Sequence, residues 1–301
     1  MLIKIATRNS PLALYQAEFV AAQLTTHHPY ITTEIIPIIS SGDKTLDKPL
    51  YKIGGKSLFI KELETALLNR DADIAVHSMK DMPVVLPPAL TIAAICKRDD
   101  PSDCLVSHKF THLNQLPPQA IIGTSSLRRQ SQILAIRPDL QVKFIRGNIA
   151  TRLKKLDADC DAIILATAAI DRLNITNYST YKFDADTFVP AVAQGAIGVE
   201  CRADNQELQK ILQPINHAPS SLCVDTERAM NQVLGGSCHT PIGGHAVLNN
   251  GMLTLTGLVA SDDGKKIIKI SQTMLEAKHL ALGEKVAKLL LAGGADKLLG
   301  K

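Results

Sequence analysis

The sequence predicts an α/β protein with a largely parallel sheet, followed by a small antiparallel α+β domain. Three observations carry this expectation. From the N-terminus through Leu173, short apolar runs alternate with helical patterns, as strand–helix–strand units require. Three β-type runs then follow one another, separated by Asn250-Gly251 and Asp263-Gly264, which are hairpin signals. The chain has 301 residues. At roughly 150 residues per domain, that is room for two domains or three small ones.

The elements follow in order. Residues 2–6 read as a strand. Ser10-Pro11 supplies an N-cap and a first helical residue, and Pro29 closes that helix. Residues 33–39 form a second β-type run. Residues 41–57 are polar and glycine-rich, and read as a mobile loop. A helix over 58–69 places Leu63, Ala66 and Leu67 on one face, and 74–77 and 90–95 are short strands. Prolines and charges in 97–103 and 114–118 mark a boundary near residue 100. The pattern then repeats. A strand at 120–122 leads through Gly123-Thr-Ser-Ser into a helix ending near Arg137-Pro138. Next come a strand at 141–145, a helix at 151–156, a strand at 161–166 and a helix through Leu173. In the last part, a helix at 220–233 precedes β runs at 242–248, 252–260 and 266–273, and a helix over 276–291 closes the chain.

Composition excludes several classes. Apolar residues make up 46% and charged residues 21%, which suits a globular core and excludes disorder. The formal net charge of +4 is too small to imply nucleic acid, and with no Trp a base-stacking surface is hard to build. No apolar run approaches the ~18 residues of a membrane span, and the N-terminal segment lacks a signal-peptide core. A cytoplasmic protein is expected, with no nucleic-acid or membrane partner. The six cysteines are scattered with no Cys-x-x-Cys pair, and read as reduced, mostly buried thiols.

The basic residues are the most informative chemical feature. Ligands of parallel α/β sheets bind beyond the carboxyl ends of the strands. The loops expected there carry Arg8, Lys80, Arg146 and Arg172. Arg128 and Arg129 fall in the first turn of one helix and Arg152 in the first turn of another, and Lys52 and Lys56 sit in the 41–57 loop. Cations at a helix N-terminus oppose its dipole, and a bound anion would reconcile the two. Ser10, Thr124, Ser125 and Ser126 add donors at the same helix starts. Each cation alone reads equally well as solvated surface charge. As a group they point to an anion cleft, and the predominance of Arg favours carboxylates. Asp81 follows Lys80 and could balance a developing positive charge or move a proton. On composition alone it reads as half of an ion pair.

Other motifs are weaker. Gly54-Gly55-Lys56-Ser57 imitates the end of a phosphate-binding loop, but Leu50 stands where that motif needs Gly. Cys104, His108 and His112 recur every four residues, yet a fourth ligand is missing and the segment reads as loop, so no metal is expected. Cys238 lies in a glycine-rich loop, Leu-Gly-Gly-Ser-Cys-His-Thr-Pro-Ile-Gly. It could serve as a nucleophile or a covalent tether. Without further information it reads as an ordinary loop cysteine.

Seven segments together resemble the porphobilinogen deaminase (hydroxymethylbilane synthase) family. They are ATRNSPLALYQ (6–16), GGKSLFIKELE (54–64), DIAVHSMKDMP (73–83), GTSSLRRQ (123–130), RGNIATRLKKL (146–156), PAVAQGAIGVECR (190–202) and LGGSCHTPIG (234–243). Each is modest alone, but their order and spacing over nearly the whole chain are specific. The resemblance implies two lobes like those of periplasmic binding proteins, with mostly parallel sheets, and a third, small α+β domain with a three-stranded antiparallel sheet. It places residues 1–97 and 190–215 in the first, 101–189 in the second and 218–301 in the third.

The resemblance also implies a chemistry. Four porphobilinogen molecules would be joined head to tail, each losing ammonia, on a dipyrromethane cofactor tethered to Cys238 by a thioether. Hydroxymethylbilane would then leave by hydrolysis. Asp81 matches the catalytic carboxylate, which contacts pyrrole nitrogens and stabilises an azafulvene-like cation. Arg8, Lys80, Arg128, Arg129, Arg152 and Arg172 match binders of cofactor or substrate carboxylates, and Ser10, Thr124 and Ser126 match hydroxyl partners. Arg146 matches an arginine of binding or elongation, and Gln194 a residue near the cleft hinge. Lys52, Lys56 and Phe59 match the active-site loop. A monomer is implied. Ser57, Ser237, His239 and Thr240 depart from the usual family residues, whereas Cys238 and Pro241-Ile-Gly are retained. A non-catalytic binding protein for small anions would explain the cations but not Cys238 or Asp81. A cysteine-nucleophile transferase without pyrrole chemistry would not explain the order of motifs.

Overall fold

The computed structural model describes residues 1–40, 60–237 and 239–300. They fall into two compact units. The first comprises residues 1–40, 60–99 and Gly195–Ser221, and the second Asp100–Gln194 and residues 222–300.

The first unit opens with β1 (Leu2–Arg8), α1 (Pro11–His27) and β2 (Thr32–Ile38), followed by α2 (Lys61–Leu68), β3 (Ile74–Ser78) and β4 (Leu90–Ile95). Ser10 caps α1 as the sequence predicts, its Oγ accepting from the Ala13 N–H at 3.3 Å, with proline at the first helical position. In the sheet β1 lies parallel to both β2 and β3. Successive side chains of a strand point to opposite faces. Ile3, Ile5, Ile74 and Val76 therefore pack with Val20 and Leu24 of α1, while Ala6 and Ala75 pack under Leu63 and Leu67 of α2.

The second unit begins with β5 (Asp103–Ser107), β6 (Ile121–Gly123), α3 (Leu127–Ile136), β7 (Gln141–Lys143), α4 (Ile149–Asp159), β8 (Ala162–Ala166), α5 (Thr167–Arg172) and β9 (Ser179–Lys182). Its strand order is β7-β6-β8-β5-β9, with β6 parallel to β7 and β8, and β5 antiparallel to β8 and β9. Strands β5 and β9 are additions to the sequence reading. β5 is only five residues long and directly follows the charged, proline-containing stretch. The chain then returns to the first unit with β10 (Ile197–Arg202) and α6 (Gln206–Leu212). Strand β10 inserts antiparallel between β3 and β4.

The last elements are α7 (Ala218–Leu234), β11 (Ile242–Asn249), β12 (Met252–Ala260), β13 (Ile267–Leu275) and α8 (His279–Ala292). The three strands form the expected antiparallel meander. Asn250 and Gly251 both have positive φ, 49° and 74°, as the tight turn joining β11 to β12 requires. Met230 and Leu234 of α7 and Leu282, Val286 and Leu290 of α8 pack against Leu253, Leu255 and Val259 of β12. Within the second unit, the fully buried Glu227 of α7 accepts from the Ala193 N–H at 2.6 Å and the Ala246 N–H at 2.7 Å. Ala193 has a positive φ of 60°, so this carboxylate holds a backbone conformation that alanine rarely adopts alone.

Candidate active site

In the first unit, Arg8 ends β1, and β3 runs directly into a single 3-10 turn, Met79–Asp81. Arg8, Ser10, Lys80 and Asp81 therefore all stand at or just beyond the carboxyl ends of the parallel strands, as the sequence predicts. Lys80 is half-buried and Asp81 is exposed. The turn is anchored from below: Met79 is buried, its N–H donates to the Ala196 carbonyl at 3.0 Å, and Gly198 leaves the space its side chain fills. The Ser78 hydroxyl and the Gln16 side-chain amide also bond each other, at 2.8 and 3.2 Å.

Just below the turn lies a buried acid cluster that sequence reasoning missed. His77 Nε2 and Glu200 Oε2 are 3.0 Å apart, and both residues are buried. Glu200 Oε1 and Glu64 Oε1 are buried with no hydrogen-bond partner among the described residues. Burial, and then the Glu200 charge, push the Glu64 carboxyl above its ordinary value near 4.5, with His77 opposing. The folded state thus binds this proton more tightly than the unfolded state. Stability should fall as pH rises from about 4.5 through the raised value. Glu64→Gln, which keeps the neutral shape, should flatten that decline. A melting-temperature profile against pH checks this, and identical profiles for the two proteins would contradict it.

In the second unit, the carboxyl ends of β6, β7 and β8 share one edge and carry the remaining cations. After β6, the Thr124 hydroxyl accepts from the Ser126 N–H at 3.2 Å, and Ser126 caps α3 by accepting from the Arg129 N–H at 3.4 Å. Each hydroxyl keeps its own proton to donate. After β7, Arg146 is buried, and Asn148 caps α4 by accepting from the Thr151 N–H at 2.9 Å. Arg152 follows in α4, its Nε donating to the Gly147 carbonyl at 2.8 Å. His239, next to Cys238 in sequence, feels Arg146: burial and then that positive charge hold its imidazole below the usual range.

Arg128 and Arg129 lie in the first turn of α3, as predicted, but the anion beside them belongs to the protein. Asp103, the first residue of β5, is fully buried. Its Oδ2 accepts from Arg128 Nη1 at 2.6 Å, and its Oδ1 accepts from Arg129 Nη2 at 2.7 Å. β5 runs antiparallel to β8, with Asp103 opposite Ala166, so the strand begins at the edge where its neighbours end. Burial alone would raise the Asp103 carboxyl. Arg128 and then Arg129 more than reverse this and hold it well below the usual carboxylate range. Gln194 completes the cluster, its Nε2 donating to the Pro101 carbonyl at 2.7 Å and to Asp103 Oδ1 at 3.0 Å.

Some expectations are corrected or lie elsewhere. Arg172, expected in a loop beyond the strand ends, instead lies in the last turn of the short helix α5, where its charge complements the helix dipole. The Cys104–His108–His112 series forms no common face: Cys104 is buried in β5, His108 packs on Tyr178, and His112 caps a 3-10 turn. No group of three or more potential metal ligands occurs among the described residues. Burial pushes the Cys104 thiol up to about 12 and the Cys201 thiol up to about 11, which makes both inert. Cys238, Lys52, Lys56 and Phe59 lie outside the described residues. No helix among the described residues is long and apolar enough to cross a membrane.

Two family models match in succession. The "Porphobilinogen deaminase, dipyromethane cofactor binding domain" covers residues 3–210, and the "Porphobilinogen deaminase, C-terminal domain" covers residues 221–292. The chain belongs to the porphobilinogen deaminase family. As a member it is a transferase of tetrapyrrole biosynthesis with a dipyrromethane cofactor, and porphobilinogen is the family's substrate. Solved structures similar to this porphobilinogen deaminase chain are distant. The methionine-binding protein MetQ is 12% identical over 71% of this chain and 89% of its own, with a TM-score of 0.46. A periplasmic binding protein of an arginine transport system from Legionella pneumophila is 13% identical over 71% and 92%, with a TM-score of 0.40. The architecture itself is read from the sheets: two mixed, mainly parallel sheets and a C-terminal antiparallel one.

The residues present suit the family's cofactor. A dipyrromethane built from two porphobilinogen units bears four carboxylates, and such a group needs several cations within partly buried surroundings. Arg128 is a cation of that kind: it is buried, and Asp103 also serves Arg129, so one positive charge of the trio is left over. Asp103, His77, Glu200 and Glu227 escaped sequence reasoning. The signal for Asp103 was the apolar triplet Cys104-Leu-Val, a short strand hidden behind charge and proline.

Proposed function

We infer that the chain is a hydroxymethylbilane synthase. It joins four porphobilinogen molecules head to tail, with release of one ammonia for each, on a dipyrromethane held by Cys238 through a thioether. Hydrolysis then frees hydroxymethylbilane. The observation that carries this reading is the match of both family domains, in order, to a chain that retains Asp81 and Cys238. When bound, the dipyrromethane supplies the primer on which the chain grows.

This chain's own residues take the following parts. Asp81, exposed at the end of its turn, assists departure of the amine and balances positive charge on the reacting pyrrole. Arg8, Lys80, Arg128, Arg129, Arg146, Arg152 and Arg172 bind acetate and propionate groups, with Ser10, Thr124 and Ser126 as hydroxyl partners. Gln194 holds the Asp103 cluster in register. Lys52 and Lys56 act from the 41–57 segment and Phe59 from just after it. Residues 1–97 with 190–215, 101–189 and 218–301 are proposed as three domains of a cytoplasmic monomer that needs neither nucleic acid nor membrane.

Ehrlich's reagent tests the reading cheaply. The purified protein, as isolated or after incubation with porphobilinogen, should give the colour of a bound dipyrromethane. A protein that stays colourless in both states would overturn the proposal, which is the outcome expected of a mere anion binder.

A further inference from the structure

Arg128 and Arg129 are adjacent, yet they are bonded very differently. Arg129 is nearly saturated. Its Nε and Nη2 donate to Asp103 Oδ1 at 3.0 and 2.7 Å, its Nη1 donates to the Ile164 carbonyl at 2.9 Å, and Nη2 also faces Gln194 Oε1 at 3.5 Å. Arg128 uses one nitrogen only: Nη1 donates to Asp103 Oδ2 at 2.6 Å and to the Val189 carbonyl at 2.8 Å. Its Nε and Nη2 donate to no acceptor among the described residues. These two groups form one side of the planar guanidinium, the side that meets both oxygens of a carboxylate at once.

Charge accounting points the same way. Two buried cations share one buried anion, so one positive charge remains on side chains only 4% and 6% exposed. A buried charge is costly unless it is paired. The pairing cannot be shifted by rotating Arg128, because Asp103 and Val189 hold the opposite end of its guanidinium. Asp103 stays ionised, since the two arginines hold its carboxyl well below the usual range.

We propose that Asp103 is a positioning residue: it fixes the arginine pair and presents the Nε–Nη2 side of Arg128 to one carboxylate of the ligand. The ligand half of this rests on the reading of a carboxylate-bearing pyrrole substrate given above. Asp103 touches no substrate itself, and acts through Arg128.

The test is a double-mutant cycle on full-length enzyme, with porphobilinogen as the probe. Asp103→Asn and Arg128→Gln should each raise KM about tenfold or more, the loss of one well-made charged contact. The combined variant should raise KM no further than Arg128→Gln alone, because the two residues act as one unit. A merely structural Asp103 would lower the active fraction, and hence the apparent kcat, with KM unchanged. Multiplying effects in the combined variant would also overturn the proposal. Should Asp103→Asn fail to fold, Asp103→Glu keeps the charge, displaces the carboxylate by one methylene and should still raise KM; an unchanged KM would overturn the proposal. A wild type that takes up no porphobilinogen would overturn the function reading and the ligand half together. The same cycle read on melting temperature would then decide whether Asp103 and Arg128 are coupled at all.

Discussion

Asp81→Asn should leave the chain folded and lower turnover by roughly 10²–10⁴-fold, the usual worth of a positioned proton-transfer group. Asp81 is exposed at the end of a single turn, so the substitution buries nothing and changes no core contact. Surface changes of this kind usually alter stability by less than about 0.5 kcal/mol. The amide has nearly the carboxylate's shape but no charge, and cannot balance a cation. The turn is held by Met79 and the strand beneath it, so the side chain at position 81 keeps its place. Steady-state rates beside a melting curve check this. A normal melting temperature with wild-type turnover would remove the role assigned to Asp81.

Glu227→Ala should cost much of the stability of the second unit. Its two carboxylate oxygens each accept a buried backbone N–H, from Ala193 and Ala246. Each orphaned donor costs about 1–3 kcal/mol, so the pair costs roughly 2–6 kcal/mol before any cavity is counted. That is a large share of the ~5–15 kcal/mol typical of a folded protein. Ala193 would also lose the bond that holds its positive φ. Glu227→Gln should be milder, since the amide oxygen still accepts one of the two bonds. Thermal or urea unfolding reads the difference. A Glu227→Ala protein that melts within a degree or two of wild type would contradict this account of the 190–194 segment.

Local chemistry made much of the fold legible in the sequence. Ser10-Pro11 announced a helix start, Asn250-Gly251 and Asp263-Gly264 announced two turns, and Ile74–His77 read as a buried strand because both its faces are covered. Long-range pairing was less legible. β10 is far in sequence from β3 and β4, and nothing local in Ile197–Arg202 says which sheet it joins. β5 was hidden by its shortness, and with it the anion that meets Arg128 and Arg129. Cations in the first turn of α3 do call for an anion there, as the helix dipole predicts. Asp103, some 25 residues upstream, supplies the first one, and no local signal links it to α3. Glu64, His77 and Glu200 come from three separate elements, so no spacing rule gathers them.

The most direct test of the central claim is the intact mass of the purified protein beside a Cys238→Ser variant, each before and after incubation with porphobilinogen. The account predicts a wild-type mass exceeding that of the sequence by two linked porphobilinogen-derived rings, present on isolation or gained on incubation, and no such increment on the variant. A wild type that keeps its unmodified mass in both states, or a variant that carries the same increment, would contradict it.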